Sequence, residues 1–283
     1  MKQKCIDFIK KTLKRNEFKG CVIGISGGID SAVVAALCCE AIGKENVFGL
    51  LLPERDSAKS TVEDSTLMCD HLGIHYKIKN MKDILKKTGA YSLKPPASIV
   101  PRKIQEKYVQ KKWRDLTKDD TFIQDLEGRG NKEFLEGLAF YRIKHRLRMC
   151  LFYLEAEQRN YAVMGTTNKT ELMTGFYVKW GDDSTDIEPI MHLYKTQVYE
   201  LARDLKIPDA IINKSPSPDL IPGITDEFAL KMKYNDLDRI LRKMENDEEN
   251  LDDESQENVK RVRQILEAAE KRKIKNLNLL GDD

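Results

Sequence analysis

The stretch GISGGIDS, Gly24 to Ser31, sets two adjacent glycines between a run that reads as a buried strand and a run that reads as a helix. Glycines there let main-chain N–H groups approach an anion closely, and the start of a helix adds partial positive charge at the same place. A bare glycine pair would be no more than a tight turn. Here Ser26 and Ser31 add hydroxyl donors on either side, and Asp30 puts a carboxylate where an anion is also expected. Two anions at one spot need a cation between them. A Mg²⁺ ion held by one or two carboxylates and by phosphate oxygens meets that need. No G-K-[ST] follows, so the stretch is not a Walker A loop, and its spacing is not G-x-G-x-x-G.

A second segment, Met164 to Pro208, carries the other candidates. It reads as a strand end, a helix start around Lys169 to Thr174 bearing Glu171, a Gly-Asp loop rich in acceptors, and Lys195 at the start of a further helix. Loops just beyond strand ends are where open α/β sheets bind ligands. Any one of these residues, taken singly, is an ordinary loop residue. A cation at Lys195 near phosphates would stabilise departure of pyrophosphate.

S-G-G-x-D-S after a first buried strand resembles the pyrophosphate loop of the N-type ATP pyrophosphatases. The order G-T-x-x-x-x-E, G-[FY]-x-x-K-[YW]-G-D and P-[IL]-x-x-L-x-K is similar to ammonia-dependent NAD synthetase, and the resemblance extends to LPERDS, IKHRLRM, KSPSPDL and PGITDE. It implies that Gly24, Ile25, Ser26, Gly27, Gly28, Ile29, Asp30 and Ser31, with Thr166, Lys195 and Ser217, hold ATP as co-substrate. Asp30 and Glu171 would ligate Mg²⁺, Asp30 and Lys195 would serve catalysis, and Arg146, Lys179 and Asp186 would contact deamido-NAD. On its own Arg146, set among basic residues on a helix, reads equally well as a solvated surface charge. The implied reaction is attack of the nicotinate carboxylate on the α-phosphorus, then attack of ammonia on the acyl adenylate. Neither step needs a covalent enzyme nucleophile, so positioning and charge stabilisation should supply the catalysis. The length has no room for a glutaminase domain, so ammonia would arrive free or from a separate glutaminase chain. A homodimer is also implied.

Three departures fall on the acceptor side. Arg142 and His145 stand where the family has Asn and Ala, Glu270 stands in a C-terminal position where the family has His, and the segment before Arg142 is longer than usual. Other readings therefore stay open: a ligase of the same lineage acting on another carboxylate, a tRNA-modifying PP-loop enzyme, or a non-catalytic nucleotide-binding subunit.

The elements that must position these residues alternate. CVIGIS, NVFGLLLP and IHYKIKN read as strands, with DSAVVAALCCEAIG closed by Gly43 and STVEDSTLMCDHLG stopped by Gly73 as the helices between them, the second capped by Ser60 or Thr61. This is βαβαβ, which predicts an α/β, Rossmann-like parallel sheet with helices on both faces. Residues 93–132, with a Pro-Pro pair and many charges, read as an insertion with one exposed helix. A long helix over Glu133 to Asn160 carries Leu135, Leu138, Phe140, Ile143, Leu147, Leu151 and Leu154, and leads to the short strand YAVMG. Residues 234–283 read as a helical C-terminal extension, two helices separated by DEENLDDE, expected to be a solvated loop.

With 283 residues, 41% of them apolar, the chain can bury one main core, and a single domain over 1–283 is expected. Forty-eight basic against 46 acidic side chains leave a formal charge of +2, which disfavours a nucleic-acid surface. KKWRD in the insertion is a solvated helix in this reading, and His71 and His75 bracket Gly73, which breaks the geometry of a metal pair. Six cysteines without C-x-x-C spacing read as reduced, mostly buried thiols of a cytoplasmic protein. No leader-like stretch and no run of the ~20 apolar residues of a membrane span is seen.

Overall fold

Strands β1 (Gly20–Gly24), β2 (Val47–Leu51), β3 (His75–Ile78) and β4 (Tyr161–Met164) lie side by side in the order β3-β2-β1-β4, and every neighbouring pair is parallel. The computed structural model describes residues 1–93, 107, 120–216, 224–246 and 251–273. Strand β1 is buried on both faces: Cys21 and Ile23 point into one apolar cluster and Val22 into another. That is why CVIGI is a continuous apolar run and not an alternating one.

Helices α1 (Lys2–Arg15) and α2 (Ile29–Ile42) share the first cluster, α1 through Cys5, Ile6, Ile9 and Leu13. Helix α2 is buried nearly all round and ends where Gly43 turns to φ +81°. Helix α3 (Lys59–Leu72) ends on left-handed Gly73, but it begins earlier than its hydroxyls predict. Ala58 is the N-cap and its own side chain makes no capping bond; Ser60 and Thr61 sit inside the first turn and face the cleft described below. The chain comes off β2 through Pro53 in a short loop in which Ser57 Oγ accepts from the Glu54 N–H, so the helical turn is already under way at Lys59.

Helices α4 (Lys82–Lys87) and α5 (Thr121–Glu127) flank residues 94–119, of which only Lys107 is described, so the insertion's exposed helix and KKWRD lie outside the described residues. Helix α5 is not a solvated appendage. Asp120 caps it, and Phe122 and Leu126 are buried. The long helix α6 (Lys132–Glu157) covers the second face of the sheet through Leu151 and Ala156, while Leu135 and Leu154 are 42% and 47% exposed.

Helices α7 (Lys169–Thr174), α8 (Lys195–Asp204) and α9 (Asp209–Ile212) follow β4. Then α10 (Asp226–Leu230), α11 (Tyr234–Glu245) and α12 (Gln256–Lys273) build a third apolar cluster together with Phe122 and Leu126 of α5. The end of the insertion and the C-terminal helices therefore form one lobe. Asp120 joins them, accepting from Arg261 and Lys231. The described end of DEENLDDE turns inward instead of standing in solvent: Leu251 is buried, and buried Glu254 accepts from Arg239 at 2.6 and 2.8 Å and pairs with Lys243 at 3.2 Å.

Candidate active site

Because β2 and β3 run out from one side of β1 and β4 lies on the other, the carboxyl ends of β1 and β4 border the crevice where such sheets take their ligands. Asp30 reaches it from the first turn of α2, Glu171 from the first turn of α7, Lys195 from the first residue of α8 and Asp226 from the first residue of α10. Lys195 Nζ donates to Asp30 Oδ2 at 2.5 Å and lies 3.6 Å from Glu171 Oε1. Asn168 joins the carboxylates: its Nδ2 donates to Asp30 Oδ1 at 3.0 Å, and its Oδ1 accepts the Glu171 N–H while its own N–H donates to Glu171 Oε2, a capping box.

Lys195 is fixed from behind as well. Its N–H donates to Thr170 Oγ1, whose hydroxyl donates to the fully buried Asp238, and Asp238 also accepts the Thr196 N–H. Tyr234 donates to Asp226 Oδ2, and its ring lies 5.4 Å from Lys195 Nζ. Asp226 Oδ1 is buried and has no hydrogen-bond partner among the described residues.

Three carboxylates around one ammonium leave a surplus of negative charge, and its effects are legible group by group. Burial, and then the Asp30 charge, push the Glu171 carboxyl well above the usual range, with Lys195 opposing. Burial likewise raises Asp226 against the pull of Lys195 and Tyr234. Burial works against the charged form of Lys195, yet Asp30, Glu171 and Asp226 outweigh it and hold the ammonium firmly protonated.

Beside this cluster opens a cleft of about 580 Å³, lined by the glycine turn, Thr166, Lys195, Lys214, Arg148 and His145 among others. That volume suits a nucleotide-sized ligand. The two serines of the turn bond chiefly to the turn itself: Ser26 Oγ and Ser31 Oγ are 3.1 Å apart, Ser31 donates to the Gly28 carbonyl and Ser26 accepts the Gly28 N–H. Gly27 holds φ +70°, and a Cβ on it would stand 2.9 Å from both Asp64 Cβ and the Thr61 carbonyl, so a side chain is excluded twice over.

Behind the strand end, Glu188 accepts the Thr167 N–H at 3.1 Å and the Thr185 hydroxyl at 2.8 Å, and it fills the space a Cβ on Gly165 would need. Burial raises its carboxyl to about 7. On the opposite wall Arg148 donates to the Leu52 carbonyl, and fully buried Lys144 donates to Glu54 at 2.8 Å and Asp56 at 3.3 Å, with Tyr91 donating to Glu54 Oε2. LPERDS is thus a loop pinned to α6 by a buried ion-pair network.

The three residues expected at the acceptor do not line the cleft. Arg146 donates through Nε and Nη2 to the Lys179 carbonyl, so it is no free surface charge. Lys179 Nζ lies over the Trp180 ring at 5.1 Å, and exposed Asp186 accepts the Val163 N–H and the Tyr153 hydroxyl. Arg146 meets the 177–186 loop at Lys179, and that loop borders the cleft through Gly181, Asp182, Ser184 and Thr185. Ser217 lies outside the described residues.

The departures from the family pattern have structural partners. Arg142 donates to Asp125 in α5, and so does Arg272, which also donates to the Tyr177 carbonyl. Exposed Glu270 pairs with Lys273, and His145, its protonation disfavoured by burial, lies 3.4 Å from Asp182. Sequence reading had no grip on Asp226, Asn168, Lys214, Arg148 or Glu188 as site residues. Asp226 and Lys214 stand in the PGITDE and KSPSPDL matches, but nothing in their spacing ties them to Asp30.

The sequence profile of the NAD synthase family matches residues 1–117 and 119–276. The chain belongs to the NAD synthase family. Among curated NAD synthase relatives, the NH(3)-dependent NAD(+) synthetases of Thermotoga neapolitana and Thermotoga maritima are each 55% identical over 271 residues, covering 96% of this chain and 93% and 96% of their own lengths. Among solved NAD synthase structures, the NH3-dependent NAD synthetase of Campylobacter jejuni, in complex with nitrate, superposes with a TM-score of 0.70 at 28% identity, over 98% of this chain and 96% of that one. The NMN synthetase of Francisella tularensis gives 0.74 at 25% identity, over 99% and 97%.

Proposed function

We propose that this chain is an ammonia-dependent NAD synthetase, joining ammonia to the nicotinate carboxylate of deamido-NAD at the expense of ATP, with AMP and pyrophosphate released. The observation that carries this is the Asp30–Lys195–Glu171 assembly, with Asp226 behind it, set beside a glycine turn at the carboxyl ends of β1 and β4. The 55% identity over nearly the whole chain to relatives named for that reaction supports the choice of acceptor.

Asp30 and Glu171 would hold Mg²⁺. Both offer hard carboxylate oxygens, and the surplus negative charge around Lys195 favours a second cation. Among the described residues no three His, Cys, Asp or Glu side chains cluster for a metal, so phosphate oxygens would have to complete the shell. Once bound, the ion would neutralise phosphate charge. Lys195 would present its ammonium to the phosphates and the glycine turn would offer main-chain N–H groups to the triphosphate. The carboxylate of the acceptor attacks the α-phosphorus, pyrophosphate leaves, and ammonia displaces AMP from the acyl adenylate. Residues Gly24 to Ser31, Thr166 and Ser217 would bind ATP, and Arg146, Lys179 and Asp186 the acceptor.

Incubation with ATP, Mg²⁺, ammonium and deamido-NAD should yield NAD and AMP. The likeness to NMN synthetase makes nicotinate mononucleotide the competing acceptor, and a higher kcat/KM for it would replace deamido-NAD in this reading. Calorimetry that finds no Mg²⁺-dependent ATP binding would remove the enzymatic account altogether. A homodimer in the cytoplasm is part of the proposal: Leu135 and Leu154 leave apolar surface on α6, and the free cysteines are mostly buried. Light scattering that gives a monomer contradicts the first of these. Among the described residues no helix is long and apolar enough to cross a membrane.

A further inference from the structure

Lys214 sits just past α9, at the glycine-turn end of the cleft, and is held there from two sides. Its Nζ donates to Asp64 Oδ2 at 2.7 Å and to the Gly27 carbonyl at 3.3 Å. Asp64 and Thr61 of α3 also press directly on Gly27, so helix α3, the turn and the lysine meet at one point. The Lys214 side chain is 30% exposed and borders the cleft.

Among the described residues lining the cleft, the other lysine or arginine side chains are Lys195 and Arg148. Lys195 is buried among carboxylates, and Arg148 donates to the carbonyl of Leu52, just past the end of β2. Neither meets the carbonyl side of the turn. A triphosphate laid along the turn needs its terminal charge balanced at that end, and an ammonium touching Gly27 is in place to do it.

We propose that Lys214, alongside Lys195, holds pyrophosphate in the adenylylation step, exchanging Asp64 for β- and γ-phosphate oxygens when ATP enters. The inference rests on the ATP-cleaving reading above. In that step a carboxylate oxygen of the acceptor forms a bond to the α-phosphorus. The bond from that phosphorus to the bridging oxygen breaks, and its electron pair leaves with pyrophosphate. No proton has to move. The growing charge falls on oxygens next to the turn, where a positioned ammonium lowers the barrier. Asp64, itself partly exposed, is rehydrated when the lysine leaves it, which lowers but does not remove the cost of the exchange.

The test compares full-length Lys214→Gln, Lys214→Arg and Asp64→Asn with the wild type, with melting temperatures taken alongside. The readouts are single-turnover AMP formation with deamido-NAD and calorimetric binding of inorganic pyrophosphate with Mg²⁺. Lys214→Gln is expected to slow AMP formation about 10²-fold and to weaken pyrophosphate binding about tenfold. Lys214→Arg should recover most of both, and Asp64→Asn should bind pyrophosphate more tightly, because the competing carboxylate is gone. A Lys214→Gln protein with wild-type rate and pyrophosphate affinity overturns the inference, as does an Asp64→Asn protein with unchanged affinity. If the wild type forms no AMP with deamido-NAD, the acceptor reading fails instead, and pyrophosphate binding still decides the role of Lys214.

Discussion

Lys195 Nζ and Asp30 Oδ2 are 2.5 Å apart although 165 residues of chain separate them. The pair is the nearest contact of a buried cluster in which one ammonium faces three carboxylates, Asp30, Glu171 and Asp226. The charges are unequal in number, and that surplus is what the proposed Mg²⁺ would balance.

Asp30→Asn removes one proposed Mg²⁺ ligand and leaves Lys195 with Glu171 and Asp226 as counter-charges. Turnover should fall by at least about 10²-fold while the melting temperature moves only a few degrees. A variant that keeps full kcat would show that Asp30 holds no metal.

Glu171→Gln should split stability from function. The Glu171 carboxyl is pushed up by burial and by Asp30, so its ionised form is costly in the folded chain. Because the folded value lies above the unfolded one, wild-type stability declines as pH rises above about 4.5 toward that folded value. The glutamine variant, having nothing to ionise, should melt higher than wild type by a margin that widens with pH, and should lose Mg²⁺-dependent ATP binding. Equal melting temperatures across pH 5 to 8 would contradict this.

Lys144→Met leaves Glu54 buried with Tyr91 as its remaining named partner, and Asp56 with Arg55. Breaking a buried pair in this way costs about 3–5 kcal/mol, a fall in melting temperature on the order of 10 °C. Since the pinned loop leads into cleft-lining Ser57 and Ala58, KM for ATP should rise more than kcat falls. Denaturant melts and steady-state kinetics check both halves.

Glu188 carries a carboxyl raised by burial to about 7, so it changes charge in the range where the enzyme would work. Its folded value lies above the unfolded one, so its contribution to stability is full at pH below about 4.5 and is lost as pH rises to about 7. Above that, the ionised carboxylate is a stronger acceptor for the Thr167 N–H and Thr185 hydroxyl. KM for ATP should therefore fall between pH 6 and 8 in the wild type and stay flat in Glu188→Gln. Parallel pH profiles for the two proteins would rule this out.

Local signals carried much of the architecture. CVIGI, apolar at every position between a basic helix and a glycine pair, had to be a strand buried on both faces, and Gly43 and Gly73 had to end helices because the chain turns there into positive φ. Asp30 at the head of α2 and Glu171 near the start of a helix beginning around Lys169 were legible for the same reason: both positions are set by the few residues around them. What no local pattern held was proximity. Asp30, Glu171, Lys195 and Asp226 meet because β4 takes its place beside β1, and strand order is a property of the whole sheet. The same limit hid the lobe in which α5 joins the C-terminal helices, the inward turn of Glu254, and the pairing of Arg142 and Arg272 on Asp125. A charged residue in a sequence declares its charge but not its partner, and burial is set by partners that only the folded chain brings within reach.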